Sequence, residues 1–525
     1  MRKLVFVAYV AWVATSSWAQ SSKEAKPETL ARWSFAGTKE LAANKNLQVF
    51  SKIRELPESA AMRDVIATKL ANLIASRYGG AGPSNAPVRV KIPSLGENPV
   101  PMPDGIAALI QPLFADLVQN ESRFQMDSIS ERDADWMLAV KLPEDRVGTW
   151  SKHLVQLSLL TGMKGAVENQ ASWLATRDNY KLSLSRSKDW TILQGGISGA
   201  DSKGGKAFRD ALGKSRGKDV LDAVINTPTL ATIWKVPGLA HYPKLTVNAE
   251  PRGDGLQSEM ILEYPQDLGI KPEKWNVPDE IIQEPLVGFT AIQGLQAKLT
   301  ANERFKALGA KQIPNQLFLW AQGMGPFSVH AAAEVKNPAE VVTNAARAFQ
   351  RLIPGAQPQL ATNRAAVTWL GLPIATPFLQ AAAAPNGSFL IGGLFPASVP
   401  EPQPIPKELL EQLKQKDLVY YDWEITGERL RQWMPIWELY YLVMTQMTPN
   451  GGAPSTKFIQ ALRRQIGNTI TAGFLEKPNR IKFTRQSHIG FTALELVLLS
   501  HYLDSTDLRA NRAGASGTLP VPAPR

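Results

Sequence analysis

The sequence predicts an α+β protein: internally duplicated, with mainly antiparallel sheets, helices packed on one face and a pseudo-two-fold arrangement of its halves. Three observations predict it. Strand-like alternation comes in hairpin pairs, which favours antiparallel ladders. Amphipathic helical segments separate those pairs. A series of landmarks then recurs in the same order roughly 195 to 199 residues later, the signature of an internal repeat.

From the N-terminus, Arg2 and Lys3 precede an apolar run over 4–14, followed by small and polar residues up to Ala19. That is the layout of a secretory signal peptide over 1–19, cut after Ala19. The apolar run is too short for a membrane span, which needs roughly 20 residues, and no later segment reaches that length, so no transmembrane anchor is expected after cleavage. Helical spacing is clear in Met62, Val65, Ile66, Leu70, Leu73 and Ile74, closed by Gly79 and Gly80. Further helices are expected at 106–118, 147–160, 339–353, 428–447 and 456–466. Two hairpins are expected, 181–185 with 190–193 and 245–249 with 258–263. The second is supported by turn residues between its strands, from Pro251 to Gly255. Pro- and Gly-rich stretches at 79–103 and 396–406 read as linkers, and 510–525 as a disordered tail.

The repeat is carried by five landmarks. Val140-Lys141-Leu142-Pro143 recurs as Val335-Lys336-Asn337-Pro338, Trp173-Leu174 as Trp369-Leu370, and Gly195-Gly196 as Gly392-Gly393. Asp219-Val220 recurs as Asp417-Leu418, and Trp234 as Trp433. A fainter match joins the stretch from Phe35 to Leu41 with that from Phe289 to Leu295. Repeat one is drawn over 33–266 and repeat two over 286–488, with a C-terminal helix at 489–509. Each copy presents an amphipathic face too large to leave wet, so the two are expected to pack together, and clefts for ligands form at such junctions.

Composition narrows function by exclusion. With no cysteine, disulfides, thiolate metal sites, cysteine nucleophiles and a lipid-anchoring cysteine are all excluded. A large exported chain without disulfides points to a bacterial envelope, periplasmic or extracellular. Removing Arg2 and Lys3 with the leader lowers the formal charge from +11 to +9. Because the charges are scattered along the chain, this excess reads as ordinary solubility in preference to affinity for an anionic surface.

The catalytic motifs are incomplete. Gly195, Gly196, Gly199, Gly204, Gly205 and Lys206 follow a strand, the setting of a phosphate-binding loop, but Ala200 and Ala207 stand where its first glycine and final hydroxyl belong. Ser185 and Lys188 have Ser-x-x-Lys spacing at a strand end, where the penicillin-recognising enzymes place it on a helix. His153, His241, His330, His488 and His501 are dispersed, with no zinc-site spacing. Arg252-Gly253-Asp254 reads as turn composition, and Asn120 and Asn386 head glycosylation sequons. Twelve tryptophans remain after Trp12 and Trp18 leave with the signal. Their recurrence at repeat positions reads as core packing.

RWSFAGT at 32–38, IPNQLFLW at 313–320 and YYDWEIT at 420–426 resemble a group of uncharacterised exported bacterial proteins of planctomycete and verrucomicrobial type, classed as a domain of unknown function. The resemblance covers nearly the whole mature chain and implies no active site. The expected role is a non-enzymatic envelope protein binding a partner or an apolar ligand between its halves. Candidate partners are an envelope protein, a lipid or a polysaccharide, with no nucleic acid, no cofactor, no metal and no catalytic residue assigned. A structural or assembly component and a hydrolase of envelope polymers are the alternatives.

Overall fold

The computed structural model describes residues 28–78, 89–90, 100–130, 133–168, 170–198, 203–233, 240–300, 313–323, 328–352, 355–372, 375–396, 403–445 and 454–504. The expected leader, the tail, Trp234 and most of both linkers lie outside them.

Strands of the first half are β1 (Thr29–Phe35), β2 (Arg89–Val90), β3 (Val100–Pro101), β4 (Ser122–Ser128), β5 (Ala134–Lys141), β6 (Trp173–Arg177), β7 (Tyr180–Ser187), β8 (Trp190–Gly196), β9 (Leu221–Ile225), β10 (Lys244–Arg252) and β11 (Gly255–Glu263). Those of the second are β12 (Gln283–Glu284), β13 (Leu286–Gln293), β14 (Gln316–Gln322), β15 (Val329–Glu334), β16 (Gln357–Leu360), β17 (Ala366–Leu370), β18 (Phe378–Ala384), β19 (Gly387–Gly393), β20 (Gln403–Pro404), β21 (Leu418–Ile425), β22 (Asn468–Lys477) and β23 (Arg480–Ser487). β2 pairs with β3, and β12 with β20, as separate short ladders.

All other strands join one large antiparallel sheet. Its ladders follow each other as β6-β7-β8-β5-β4-β1-β9-β10-β11, a series we call wing one. Wing two runs β23-β22-β21-β13-β14-β15-β19-β18-β17-β16. Read outward from the seam, β11 and β23 open series with the same order of chain connections. Even β16 has a counterpart, because Lys164 bridges Thr176 on the outer side of β6. The seam is an antiparallel ladder from Leu256–Ser487 to Glu263–Arg480. The wings therefore meet edge to edge along a shared ladder, where packed faces were expected. Hydrophobic patterning specifies which side of a strand is buried, but not which edge finds a partner.

The helices are α1 (Thr38–Ala43), α2 (Gln48–Glu55), α3 (Pro57–Tyr78), α4 (Met102–Gln119), α5 (Glu144–Leu160), α6 (Lys203–Leu212), α7 (Thr227–Ile233), α8 (Leu295–Thr300), α9 (Pro338–Leu352), α10 (Lys407–Gln412), α11 (Thr426–Thr445), α12 (Pro454–Leu462) and α13 (Ala493–Asp504), of which α3, α4, α5, α9, α11, α12 and α13 answer the expected ranges. None of the helices among the described residues is long and apolar enough to cross a membrane. In wing one they cover both sides of the sheet. Trp150 and Leu154 of α5 pack with Phe124 and Leu193, whereas Phe208 and Leu212 of α6 pack with Met137, Ala139 and Ile192. Leu193 and Ile192 are adjacent strand residues, so they point to opposite faces.

A third core joins the wings. Val49 of α2, inserted between β1 and β4, packs with Leu430 of α11, Ile459 of α12 and Leu496 of α13. Met62 of α3 meets Leu499 and Leu503 of α13. Burying each such side chain contributes about 1.5–3 kcal/mol. Of the landmark tryptophans, Trp173 and Trp369 are buried in β6 and β17 and Trp433 is half-buried; outside the landmarks, Trp136 of β5 and Trp320 of β14 are buried too. The paired glycines have a packing reason too. Gly195 lies opposite Trp136 and Gly393 opposite His330, and a Cβ on Gly195 would fall 2.5 Å from the Trp136 ring.

Candidate functional site

Two places combine charge with geometry: a buried cluster in wing two and a cavity at the strand ends of wing one.

The buried cluster is centred on β21. Asp422 and Glu424 are two apart and so share a face, across which lie Thr290 of β13, Thr469 and Thr471 of β22 and Arg485 of β23. Asp422 Oδ1 accepts from Thr290 Oγ1 at 2.6 Å, and Glu424 Oε1 from the Ala493 amide at 2.7 Å, at the start of α13. Arg485 makes a two-pronged bond to Glu495 at 2.7 and 2.9 Å, and its Nε donates to Thr471. Thr492 and Glu495 also cap α13 reciprocally. Arg429 of α11 donates to Gln432 and lies over the Trp433 ring, 5.2 Å from its centroid. Gly288 provides the room, because a Cβ there would stand 2.9 Å from Arg429 Cδ. Burial, then the charge of Asp422, pushes the Glu424 carboxyl up to about 7, and burial raises Asp422 as well. Paired carboxylates of this kind are what acid–base chemistry uses. Here, however, their hydrogen bonds fasten the sheet to α13 and β13, and neither residue lines either of the two cavities described below.

The cavity of wing one has a volume of about 540 Å³, within the range of ligand sites. Its wall is drawn from α1 (Glu40), β4 (Arg123) with Glu121 just before it, the end of β5 (Lys141), the β7–β8 turn (Lys188, Asp189) and the 213–217 loop after α6. Six cationic residues line it, Arg123, Lys141, Lys188, Arg209, Lys214 and Arg216, against three acidic ones, Glu40, Glu121 and Asp189. Glu121 sits within an ion-pair network, 3.2 Å from Arg123, 3.5 Å from Lys141 and 3.9 Å from Arg216. Arg123 also donates to the Ala211 and Lys214 carbonyls and stacks on Trp190. Arg216 pairs with Glu40. Burial works against the Lys141 charge, but Asp189 and Glu121 outweigh it and raise its pKa. The Nε groups of Arg123 and Arg216 are buried without an acceptor among the described residues.

At the corresponding strand ends of wing two, the chain's own linker is laid down instead. Gln293 accepts from the Glu273 amide; Gln316 accepts from the Asn276 amide and donates to the Lys274 carbonyl. Asn276 donates to Glu334 and to the Asn386 carbonyl, and Asn386 returns a bond to Val277. Trp275 is buried edge-on against Phe318, with centroids 5.9 Å apart.

A smaller cavity of about 360 Å³ lies at the end of the seam, lined by Arg252, Asp254, Asn468, Gln486 and His488 among others. The His488 Nδ1 accepts from the Gly467 amide, which leaves Nε2–H to face Asp254 at 3.2 Å. The ring thus ties the Arg252-Gly253-Asp254 hairpin tip to β22.

The remaining sequence motifs resolve locally. Asp135 accepts from the Ile197 and Ser198 amides at 2.9 and 3.3 Å, so a carboxylate takes the donors a phosphate-binding loop would offer; burial raises its pKa. Ser185 and Lys188 lie at the end of β7 and in the following turn, as the sequence indicated. His153 bonds the Leu109 carbonyl, and His330 is buried, which lowers its pKa. Among the described residues no three His, Asp or Glu side chains are grouped to hold a metal. No family model matches the chain, and no curated protein or solved structure is significantly similar to it.

Proposed function

We propose that the protein is an exported, non-enzymatic envelope protein, built by internal duplication of one α+β unit, that binds an anionic partner in the wing-one cavity. The duplication is supported by the identical connection order of the two wings and by the landmark pairs, which fall on matching strands: Trp173 and Trp369 on β6 and β17, Gly195 and Gly392 on β8 and β19. Export is supported by the leader-like first 19 residues.

The observation that carries the binding reading is the cavity wall. Charges distant in sequence converge there, and Arg123 and Arg216 are held in place by carboxylates and carbonyls before any partner arrives. Such preorganisation reduces the ordering cost of binding. Lys188 and Lys214 remain exposed at its rim, where they steer an approaching anion.

Photo-crosslinking from position 214 in envelope preparations tests the reading. A discrete adduct, lost when Lys188→Glu is introduced, is the expected result. Absence of an adduct, or one indifferent to that charge reversal, would overturn it.

A further inference from the structure

We propose that the wing-one cavity seats an extended acidic peptide, laid across the strand ends as residues 273–277 are laid across wing two; this rests on the cavity being a partner site.

Gly37 and Gly294 each precede a helix with φ of 86° and 88°, left-handed values that favour glycine, and they anchor the two wings to each other. Three residues before them, Ser34 faces Arg123 and Ala291 faces Phe318. Stepping along the ladders, Glu121 corresponds to Gln316, Lys141 to Glu334, and Trp190 to Phe389. Gln316 and Glu334 are the side chains that hold the linker in wing two, and Glu121 and Lys141 line the cavity in wing one. The same architectural position is therefore filled by an extended segment of this chain in one wing and is a cavity in the other.

The substitutions specify the occupant's chemistry. Phe318, on which Trp275 packs, is replaced by Arg123; Glu334, which accepts from Asn276, is replaced by Lys141. A bed of amide, carboxylate and ring becomes one with a cationic majority. A segment with carboxylates in place of the linker's lysines would answer that charge.

The probe is the octapeptide EPEEWNVP, which is residues 271–278 with both lysines changed to glutamate, compared with KPEKWNVP itself by fluorescence anisotropy on the full mature chain. EPEEWNVP is expected to bind saturably, about tenfold or more tighter than KPEKWNVP, with affinity falling as salt rises. The double variant K188E/K214E, both exposed sites, is expected to weaken it by a similar factor. No saturable binding of EPEEWNVP, equal binding of both peptides, or indifference to the double variant would overturn the proposal. A charge-dependent adduct from position 214 that contains lipid or sugar would overturn the peptide while leaving the partner site standing.

Discussion

Replacing Glu424 with glutamine should raise stability at alkaline pH and leave it nearly unchanged in acid. The carboxyl stands at about 7 against an ordinary 4.5, raised chiefly by burial and next by Asp422; the attraction of Arg429 is already contained in that value. A raised carboxyl means the folded state holds a proton that the unfolded chain has released. Stability contributed by this group therefore falls as pH rises from about 4.5 to about 7, and below 4.5 it is indifferent. The gap of about 2.5 units corresponds to about 3 kcal/mol at about 1.36 kcal/mol per unit. Glutamine keeps the acceptor for the Ala493 amide and removes the charge. With unfolding entropy near ~2 cal/mol/K per residue, a chain of this size should melt roughly 3 °C higher at pH 8 in the variant. The assay is thermal and denaturant unfolding of both proteins from pH 4 to 8, read as a difference. His330, whose lowered pKa has the opposite sign, then cancels because both proteins share it. A pH-independent difference, or a variant less stable at pH 8, would refute the account of the cluster.

Three further outcomes follow from packing and hydrogen bonding. Gly195→Ala should cost about 1–3 kcal/mol, the usual range for overpacking, because its Cβ enters the Trp136 ring; unfolding curves measure it, and a neutral result would mean the strands are spaced wider. Gln316→Ala should release the Asn276 amide and the Lys274 carbonyl. At about 1 kcal/mol per bond, amide exchange over 273–277 should quicken roughly thirtyfold, with little change in the seam. Asp135→Ala should cost about 1–3 kcal/mol for leaving the Ile197 and Ser198 amides unpaired, whereas Asp135→Asn, which keeps an acceptor, should recover most of it; equal losses in denaturant unfolding would count against the carboxylate's role.

Much of the fold was legible because its signals are local. Apolar spacing located α3, α5 and α9, and the turn residues around Gly253 located the β10–β11 hairpin. The landmark pairs Trp173–Trp369 and Gly195–Gly392 fall on matching strands, but out of register: with Lys141 set on Glu334 and Trp190 on Phe389, Lys336 lies two residues beyond the position of Lys141, and Gly195 falls on Leu394. The fainter alignment of Phe35 with Phe289 is shifted: the positive-φ glycines Gly37 and Gly294 set the correspondence three residues later. Edge-to-edge joining and helices on both faces were not legible, since pairing between distant edges leaves no periodic trace. The site was hidden for the same reason. Arg123, Lys141, Lys188 and Arg216 look scattered along the chain, and only the antiparallel ladders bring them around one cavity. The buried cluster did leave a signal, Asp422 and Glu424 at alternate positions of an otherwise apolar and aromatic strand, though Arg485 and Glu495 could not be attached to it without the sheet.

A crystal structure of the chain, with the strands of wing one superposed on those of wing two, bears most directly on the whole picture. The Cα atoms of Gly37, Glu121, Lys141 and Trp190 should fall on those of Gly294, Gln316, Glu334 and Phe389, with residues 273–277 across the second set and open space beside the first. A slip of one residue in that correspondence, or a segment of the same chain filling the wing-one cavity, would contradict it.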